Sequence, residues 1–293
     1  MTIEKAIQIY LKWKEGHTNS AFYRYKKRLD DFMYYIMPKS CLMDVTGDDV
    51  VAFQNSMRGN YAPATIAYSS DILKNFFWFW QGRNEVNLNP KEIKRIKFIS
   101  PEKAIVTSSD FEFMNDILDE RYLGDLQKKL VLHLLWDTGM RVSELLDIKL
   151  TDIGSQGING LRTAKIRTRK TMRYNLVVWG SDTNELMNIY LGIRLCMPVS
   201  SKYLLVNPKT SKPYTVKSIQ RWVKQIAKDA MVDKDITPHS FRHGKANEIL
   251  ERGGTVRDVS AILRHVSPES SFNYLQLSES RYLETAEKFL QVA

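Results

Sequence analysis

Apolar residues return every three or four positions through most of the first eighty residues, a spacing that only a helix turns into one continuous buried face. Ile3, Ile7, Tyr10 and Leu11 define the first such face. A second helix, with Ser20 available as its cap, turns Tyr23, Leu29, Phe32 and Ile36 inward and leaves Arg24, Lys26, Lys27 and Arg28 on the polar side. Gly47 precedes a short helix with Val50, Val51 and Phe53. Asn60 or Tyr61 leads into a longer one, with Pro63 in its first turn, that runs through Ile66, Ile72 and Leu73 to the aromatic run 76–80. Short loops between such helices predict a small helical bundle.

The pattern breaks between 89 and about 106, where Lys91, Lys94, Arg95 and Lys97 crowd together. This stretch reads either as an extended basic linker crossing a phosphate backbone or as a solvated loop whose charges serve solubility. Helical periodicity returns over 109–118, 124–138 and after Ser143. Strand character is confined to the middle: 164–169 alternates, 175–179 is a β-branched run, and 170–173 lies between them as a hairpin tip. From Val216 onward the chain is helical again, over 217–230, 241–252, 256–264 and after Ser267-Pro268. The fold class is mainly α with a small antiparallel β-sheet. The domains are a helical bundle over 1–95, a basic linker over 96–106 and a larger domain over 107–293.

Composition narrows the function. The 293 residues carry 43 Lys and Arg against 33 Asp and Glu, a net charge of +10, and the excess is shared equally between the first hundred residues and the rest. Two basic halves suit a polyanion gripped from two sides, although such a charge also serves solubility. Apolar clusters such as 130–136 fall far short of the ~20 residues of a membrane span. The first sixteen residues mix apolar and charged positions, unlike a secretory signal. Cys41 and Cys196 match neither a disulfide framework nor a zinc motif. A cytoplasmic protein with no membrane partner is expected.

Three of the five histidines, His239, His243 and His265, fall within 239–265. His239 and Arg242 stand three apart at a helix start and so share a face. A planar cation beside a hydrogen-bond donor suits a phosphate. Two plainer readings stay open: His239 and His243 as metal ligands, or His239 as a cap with Arg242 in a surface ion pair. Thr255 and Asp258 have capping-box spacing, ahead of a short helix whose apolar stripe is Val259, Ile262 and Leu263. Upstream, Gly139 permits a tight turn before Arg141, with Ser143 able to cap the helix that follows.

In this order and spacing the residues resemble the tyrosine recombinase family, the phage integrase and Xer-like enzymes. The string 138–146, Thr-Gly-Met-Arg-Val-Ser-Glu-Leu-Leu, is similar to the family's first arginine box. His239-x-x-Arg242-His243 resembles the second, and His265 followed nine residues later by Tyr274 resembles the last histidine and the nucleophile. Aligning 176–180 with the end of the family's β-hairpin puts its lysine at Lys170, with Lys165 the other candidate in that region. Where many members have Leu-Gly-His, this chain has Leu263-Arg264-His265. Arg264 therefore either takes up the compact turn of that glycine or adds a phosphate contact.

The resemblance implies a two-domain clamp on duplex DNA, with 1–95 as the core-binding domain, and a catalytic set of Arg141, Lys170, His239, Arg242, His265 and Tyr274. Tyr274 would attack the scissile phosphate, giving a 3′-phosphotyrosine and a free 5′-hydroxyl. Arg141, Arg242, His239 and His265 would hold the phosphate oxygens, and Lys170 would protonate the departing oxygen. Glu144 would orient Arg141 from behind. Arg24, Lys26, Lys27, Lys94, Arg95 and Arg264 are further candidates for DNA contact. No cofactor or metal is implied, and the working unit would be four protomers on two DNA sites, with the free protein a monomer or weak oligomer. The apolar spacing of Tyr282, Leu283, Ala286, Phe289 and Leu290 fits a terminal helix docked on its own domain or on a neighbour. The alternatives are a type IB topoisomerase, which shares nearly the same catalytic set, and a non-catalytic DNA-binding regulator. Chromosome dimer resolution, mobile-element integration and excision, and cassette inversion all use the scaffold of the tyrosine recombinase family.

Overall fold

The computed structural model describes residues 1–15, 22–99, 103–157, 160–168 and 173–264, which form mostly helices and one three-stranded antiparallel sheet. Contacts divide the chain into two compact units, Met1–Glu102 and Lys103–Ala293.

The first unit is built from α1 (Ile3–Glu15), α2 (Phe22–Tyr35), α3 (Gly47–Ser56) and α4 (Pro63–Gln81). All four apolar positions read for α1 are buried. In α2 the inward set is Tyr25, Leu29 and Phe32, continued by Ile36, whereas Tyr23 is 74% exposed. Tyr25, Leu29, Phe32 and Ile36 keep a 4-3-4 spacing on one face, and Tyr23 lies off it. Likewise Val50 and Phe53 of α3 are buried and Val51 is exposed. Thr46 caps α3, its hydroxyl accepting from Asp49 N–H while the Asp49 carboxylate accepts from Thr46 N–H at 2.8 Å. Pro63 occupies the first turn of α4, and Phe76, Phe77 and Trp80 close the core. Beyond α4, Ile93 is buried in this core and Ile96 packs against it, while Ala104 and Val106 belong to the core of the second unit.

In the second unit α5 (Ser108–Asp116) and α6 (Leu123–Thr138) are followed by the short α7 (Val142–Leu146). The strands are β1 (Ile153–Gln156), β2 (Arg162–Thr168) and β3 (Arg173–Trp179), in the order β1-β2-β3. Then come α8 (Ser181–Cys196), α9 (Val216–Asp229), α10 (Pro238–Glu251) and α11 (Val256–Leu263). Helix α6 is the axis of this unit, packed by α8, α10 and β3, with Leu130, Val131, Leu134 and Leu135 almost fully buried. Its one deeply buried amide, Gln127, donates to Tyr190 Oη at 3.0 Å and to the Val206 carbonyl at 2.9 Å, and accepts from Tyr214 Oη at 2.8 Å. Those bonds offset the cost of placing an amide in the core.

Strand β3 begins two residues earlier than the sequence suggested. Thr168 pairs with Arg173, so Arg173 opens β3 and the connection is 169–172. Strand β1, whose Ile-Gly-Ser-Gln carries no alternation, and helix α8 were not anticipated. In α11, Val259 and Leu263 are buried as expected, but Ile262 is 43% exposed.

Candidate active site

Four segments remote in sequence meet around the arginines. The first is the turn between α6 and α7. Gly139 ends α6 at φ 54°, and a Cβ there would stand 2.4 Å from Leu263 Cδ2, so glycine alone fits both the backbone and the neighbour. The turn delivers Arg141 to the N-cap of α7 in extended backbone. Sequence reasoning gave that cap to Ser143; the structure puts Ser143 inside the helix, because Glu144 supplies the closing bond from the third position. Glu144 is 1% exposed, and its Oε2 accepts the Arg141 N–H at 2.9 Å while its Oε1 accepts Arg141 Nη1 at 3.0 Å. The carboxylate thus aims a guanidinium that remains 36% exposed.

The second segment is the start of α10. Pro238 takes the first helical position, and Thr237 N–H donates to Ser240 Oγ at 3.1 Å. His239 falls in the first turn and is exposed, while Arg242 is 1% exposed. Arg242 Nη1 donates to the Gly139 carbonyl at 2.7 Å and Nη2 donates to the Leu263 carbonyl at 2.5 Å. A guanidinium is planar, so two carbonyls fix its orientation. Arg242 therefore ties α10 both to the turn before Arg141 and to the end of α11.

The third segment is that end. Asp258 accepts the Thr255 N–H at 2.6 Å to close the start of α11. Beyond Leu263, Arg264 adopts the left-handed conformation, φ 55° and ψ 50°, which a glycine would take freely and which costs other residues about 1–2 kcal/mol. Its side chain turns inward to 8% exposure: Nη1 donates to the Ile262 carbonyl at 2.6 Å, and Nη2 stands 3.7 Å from Glu144 Oε2.

The fourth segment is the loop end of the β2–β3 hairpin. Thr168 Oγ1 donates to Glu144 Oε1 at 3.2 Å and accepts from Asn175 Nδ2 at 3.1 Å. Lys165 is exposed and out of phase with the buried Ala164, Ile166 and Thr168, on the opposite face of the strand. Thr168 is the contact that sequence reasoning missed. Alternation put it on the inward face, but which helix it meets there depends on packing.

The cluster holds three guanidiniums and one carboxylate, and its field is positive. Partial desolvation, and then the charges of Arg242, Arg141 and Lys103, lower the pKa of His239 below the ordinary histidine value. His243, largely buried, is pushed down to about 4 by burial, Lys103, His239 and Arg242. Burial brings Arg264 down to about 10 against the opposing pull of Glu144. Lys103 lies at the start of a segment that crosses α10. Val106 N–H donates to the Ser240 carbonyl at 3.2 Å, and a Cβ on Gly244 would come 2.1 Å from the Val106 carbonyl oxygen.

Such an arrangement offers an anion fixed donors in a partly desolvated setting, the requirement for holding a phosphoryl group whose charge grows during displacement. The His239 and His243 rings stand 5.5 Å apart edge to face, and among the described residues no group of three or more His, Cys, Asp or Glu is placed to hold a metal ion. Lys170, His265 and Tyr274 lie outside the described residues, as does the segment 282–290. Of the candidate DNA contacts in the first unit, Arg24, Lys27 and Lys94 are exposed, Lys26 pairs with Asp30 at 2.7 Å, and Arg95 pairs with Asp71 at 3.1 Å.

The sequence model of the phage integrase family matches residues 105–281, which take in the four segments that meet around the arginines. The chain belongs to the phage integrase family. It is 28% identical over 281 residues to the tyrosine recombinase XerC of Herpetosiphon aurantiacus, covering 93% of this chain and 89% of that one. It is 30% identical over 232 residues to a probable integrase/recombinase of Methanocaldococcus jannaschii, covering 75% and 69%. Among solved structures, the XerH site-specific recombinase bound to its palindromic difH substrate has a TM-score of 0.79 at 19% identity, over 97% of this chain and 84% of that one. A lambda integrase dimer bound to a core site has a TM-score of 0.77 at 15% identity, over 94% and 95%. The fold is therefore that of the tyrosine recombinases, mainly helical with a small antiparallel sheet. Among the described residues no helix is long and apolar enough to cross a membrane.

Proposed function

We propose that this chain is a site-specific recombinase that cuts and rejoins duplex DNA through a covalent 3′-phosphotyrosine. The observation that carries the reading is the convergence of Arg141, Arg242 and His239 at one positive cluster braced by a buried carboxylate. Tyr274 is the nucleophile. A phenol ordinarily titrates near pH ~10, so the reaction needs its proton removed or its phenolate stabilised by nearby cations. As the phenolate oxygen bonds to phosphorus, the bond to the 5′-oxygen breaks, and Arg141 and Arg242 with His239 and His265 hold the oxygens that gain charge. Lys170 gives the departing oxygen its proton; the outward face occupied by Lys165 supports Lys170 as the donor. The phosphotyrosine keeps the phosphodiester bond energy, so a 5′-hydroxyl of the partner strand reseals the DNA by the reverse displacement.

Residues 1–95 serve as the core-binding domain and 107–293 as the catalytic domain. The functional unit is four protomers on two sites; a solved relative is a lambda integrase tetramer bound to a Holliday junction. A protein whose substrate is cellular duplex DNA works where that DNA lies, and we place it in the cytoplasm.

Covalent capture tests the reading. Wild-type protein mixed with sheared genomic DNA should yield a denaturant-resistant protein–DNA species whose DNA can be sequenced. Tyr274→Phe should still bind the recovered sequence and yield no such species. An adduct formed by Tyr274→Phe would move the nucleophile elsewhere, with Tyr282 the first to examine.

A further inference from the structure

Arg264 stands out among the described residues. It is a long cation held in the backbone region that favours glycine, yet its head is buried rather than swung into solvent. Buried guanidiniums need partners, and this one lies beside Glu144, the same carboxylate that aims Arg141. Glu144 is thus shared between two arginines, one of them 36% and the other 8% exposed. Were Glu144 to face Arg141 alone, it would cancel most of that arginine's charge. A second cation beside it leaves the cluster of Arg141, Arg242, Arg264 and Glu144 with two net positive charges instead of one.

We propose that Arg264 is a positioning residue for strand cleavage: by taking a share of Glu144, it leaves the charge of Arg141 available to the scissile phosphate and locks the helix end immediately before His265. The proposal rests on the reading of the chain as a DNA-cleaving recombinase. Arg264 acts through Glu144 and needs no contact of its own with DNA. The Ile262 carbonyl and, at 3.4 Å, the Thr138 carbonyl accept from Nη1 of the same guanidinium.

The test uses Arg264→Gly, because glycine adopts the left-handed backbone without strain and removes only the side chain. The probe is a nicked duplex carrying the sequence recovered from wild-type covalent adducts, and first-turnover cleavage and duplex binding are measured separately. Arg264→Gly should bind within about threefold of wild type and cleave roughly 10–100-fold more slowly, as is typical when a supporting partner is lost from behind a ligand-holding residue. In a Glu144→Gln background the same change should cost less than about threefold, since the carboxylate that couples the two arginines is gone. Arg264→Lys, which keeps the cation, should cleave faster than Arg264→Gly. Wild-type cleavage by Arg264→Gly would overturn the proposal. So would an equal loss in both backgrounds, which would mean that Arg264 acts through the backbone carbonyls. If Arg264→Gly loses binding as well, the lysine variant decides, and cleavage no better than with glycine would be fatal. If wild-type protein forms no adduct, the recombinase reading itself fails, so the two failures are distinguishable.

Discussion

His243 shows what the positive cluster does to a single residue. Buried on α10 beside Lys103, His239 and Arg242, it is held neutral with a pKa of about 4. An unfolded chain binds a proton at this imidazole near pH ~6.5, so between that value and about 4 the unfolded state carries the proton and the folded state does not. Stability is therefore full above pH ~6.5 and falls as the pH drops toward 4, by up to about 3 kcal/mol for a shift of this size. His239, lowered for related reasons, adds in the same direction. Urea unfolding of the DNA-free protein at pH 7 and 4.5 measures the loss, and His243→Asn should remove most of it. An unchanged pH dependence in that variant would show that the acid sensitivity arises elsewhere.

Among elements, α10 does the most organising. Its Arg242 bonds to the turn before α7 and to the end of α11, and Gly244 lets the segment entering the second unit lie directly on the helix. The side chain of Gly244→Ala would have to displace the Val106 backbone, which is itself bonded to Ser240. An overpacked contact of this kind costs about 1–3 kcal/mol. In a unit of this size each kcal/mol lowers the melting temperature by roughly 2–4 °C. Calorimetry of Gly244→Ala should show that decrease, together with a slower first-turnover cleavage because Lys103 and the α10 N-terminus shift together. Unaltered melting and cleavage would mean that the crossing is not held as the structure has it. The helices themselves were legible in the sequence: α1, α4 and α9 show their apolar spacing plainly, and Thr255 with Asp258 announced the start of α11. Strand β1 was not, because four residues including glycine carry too little pattern to distinguish a paired strand from a loop.

For the molecule as a whole, the sharing of the net charge between two basic units, +4 on the first and +6 on the second, predicts how binding responds to salt. If both units contact phosphates, and roughly 6–10 contacts form, affinity for duplex DNA should fall by about 10³–10⁵ between 50 and 200 mM salt. Residues 103–293 by themselves should show a shallower slope, since the contacts of the first unit are absent. Fluorescence anisotropy with a labelled duplex across a salt series measures both. A nearly flat response would assign the charge of +10 to solubility.

Taken alone, the sequence determined the class of fold, because the three-to-four spacing of apolar residues dictates helices wherever it occurs and alternation survives only around 164–179. It also singled out Arg141, His239 and Arg242, whose residue types and order are local properties of the chain. What it left open was direction and partnership. Whether Tyr23 or Tyr25 is buried depends on the face α2 turns to its neighbours. Arg242 is fixed by carbonyls at Gly139 and Leu263, and Glu144 gathers Arg141, Arg264 and Thr168 from three separate segments. Those partners are close only after α6, α10, α11 and the hairpin have packed, and backbone carbonyls have no signature in an amino-acid sequence. The side chain of Arg264 gave no local sign of which way it would turn; the buried carboxylate across the fold decided that.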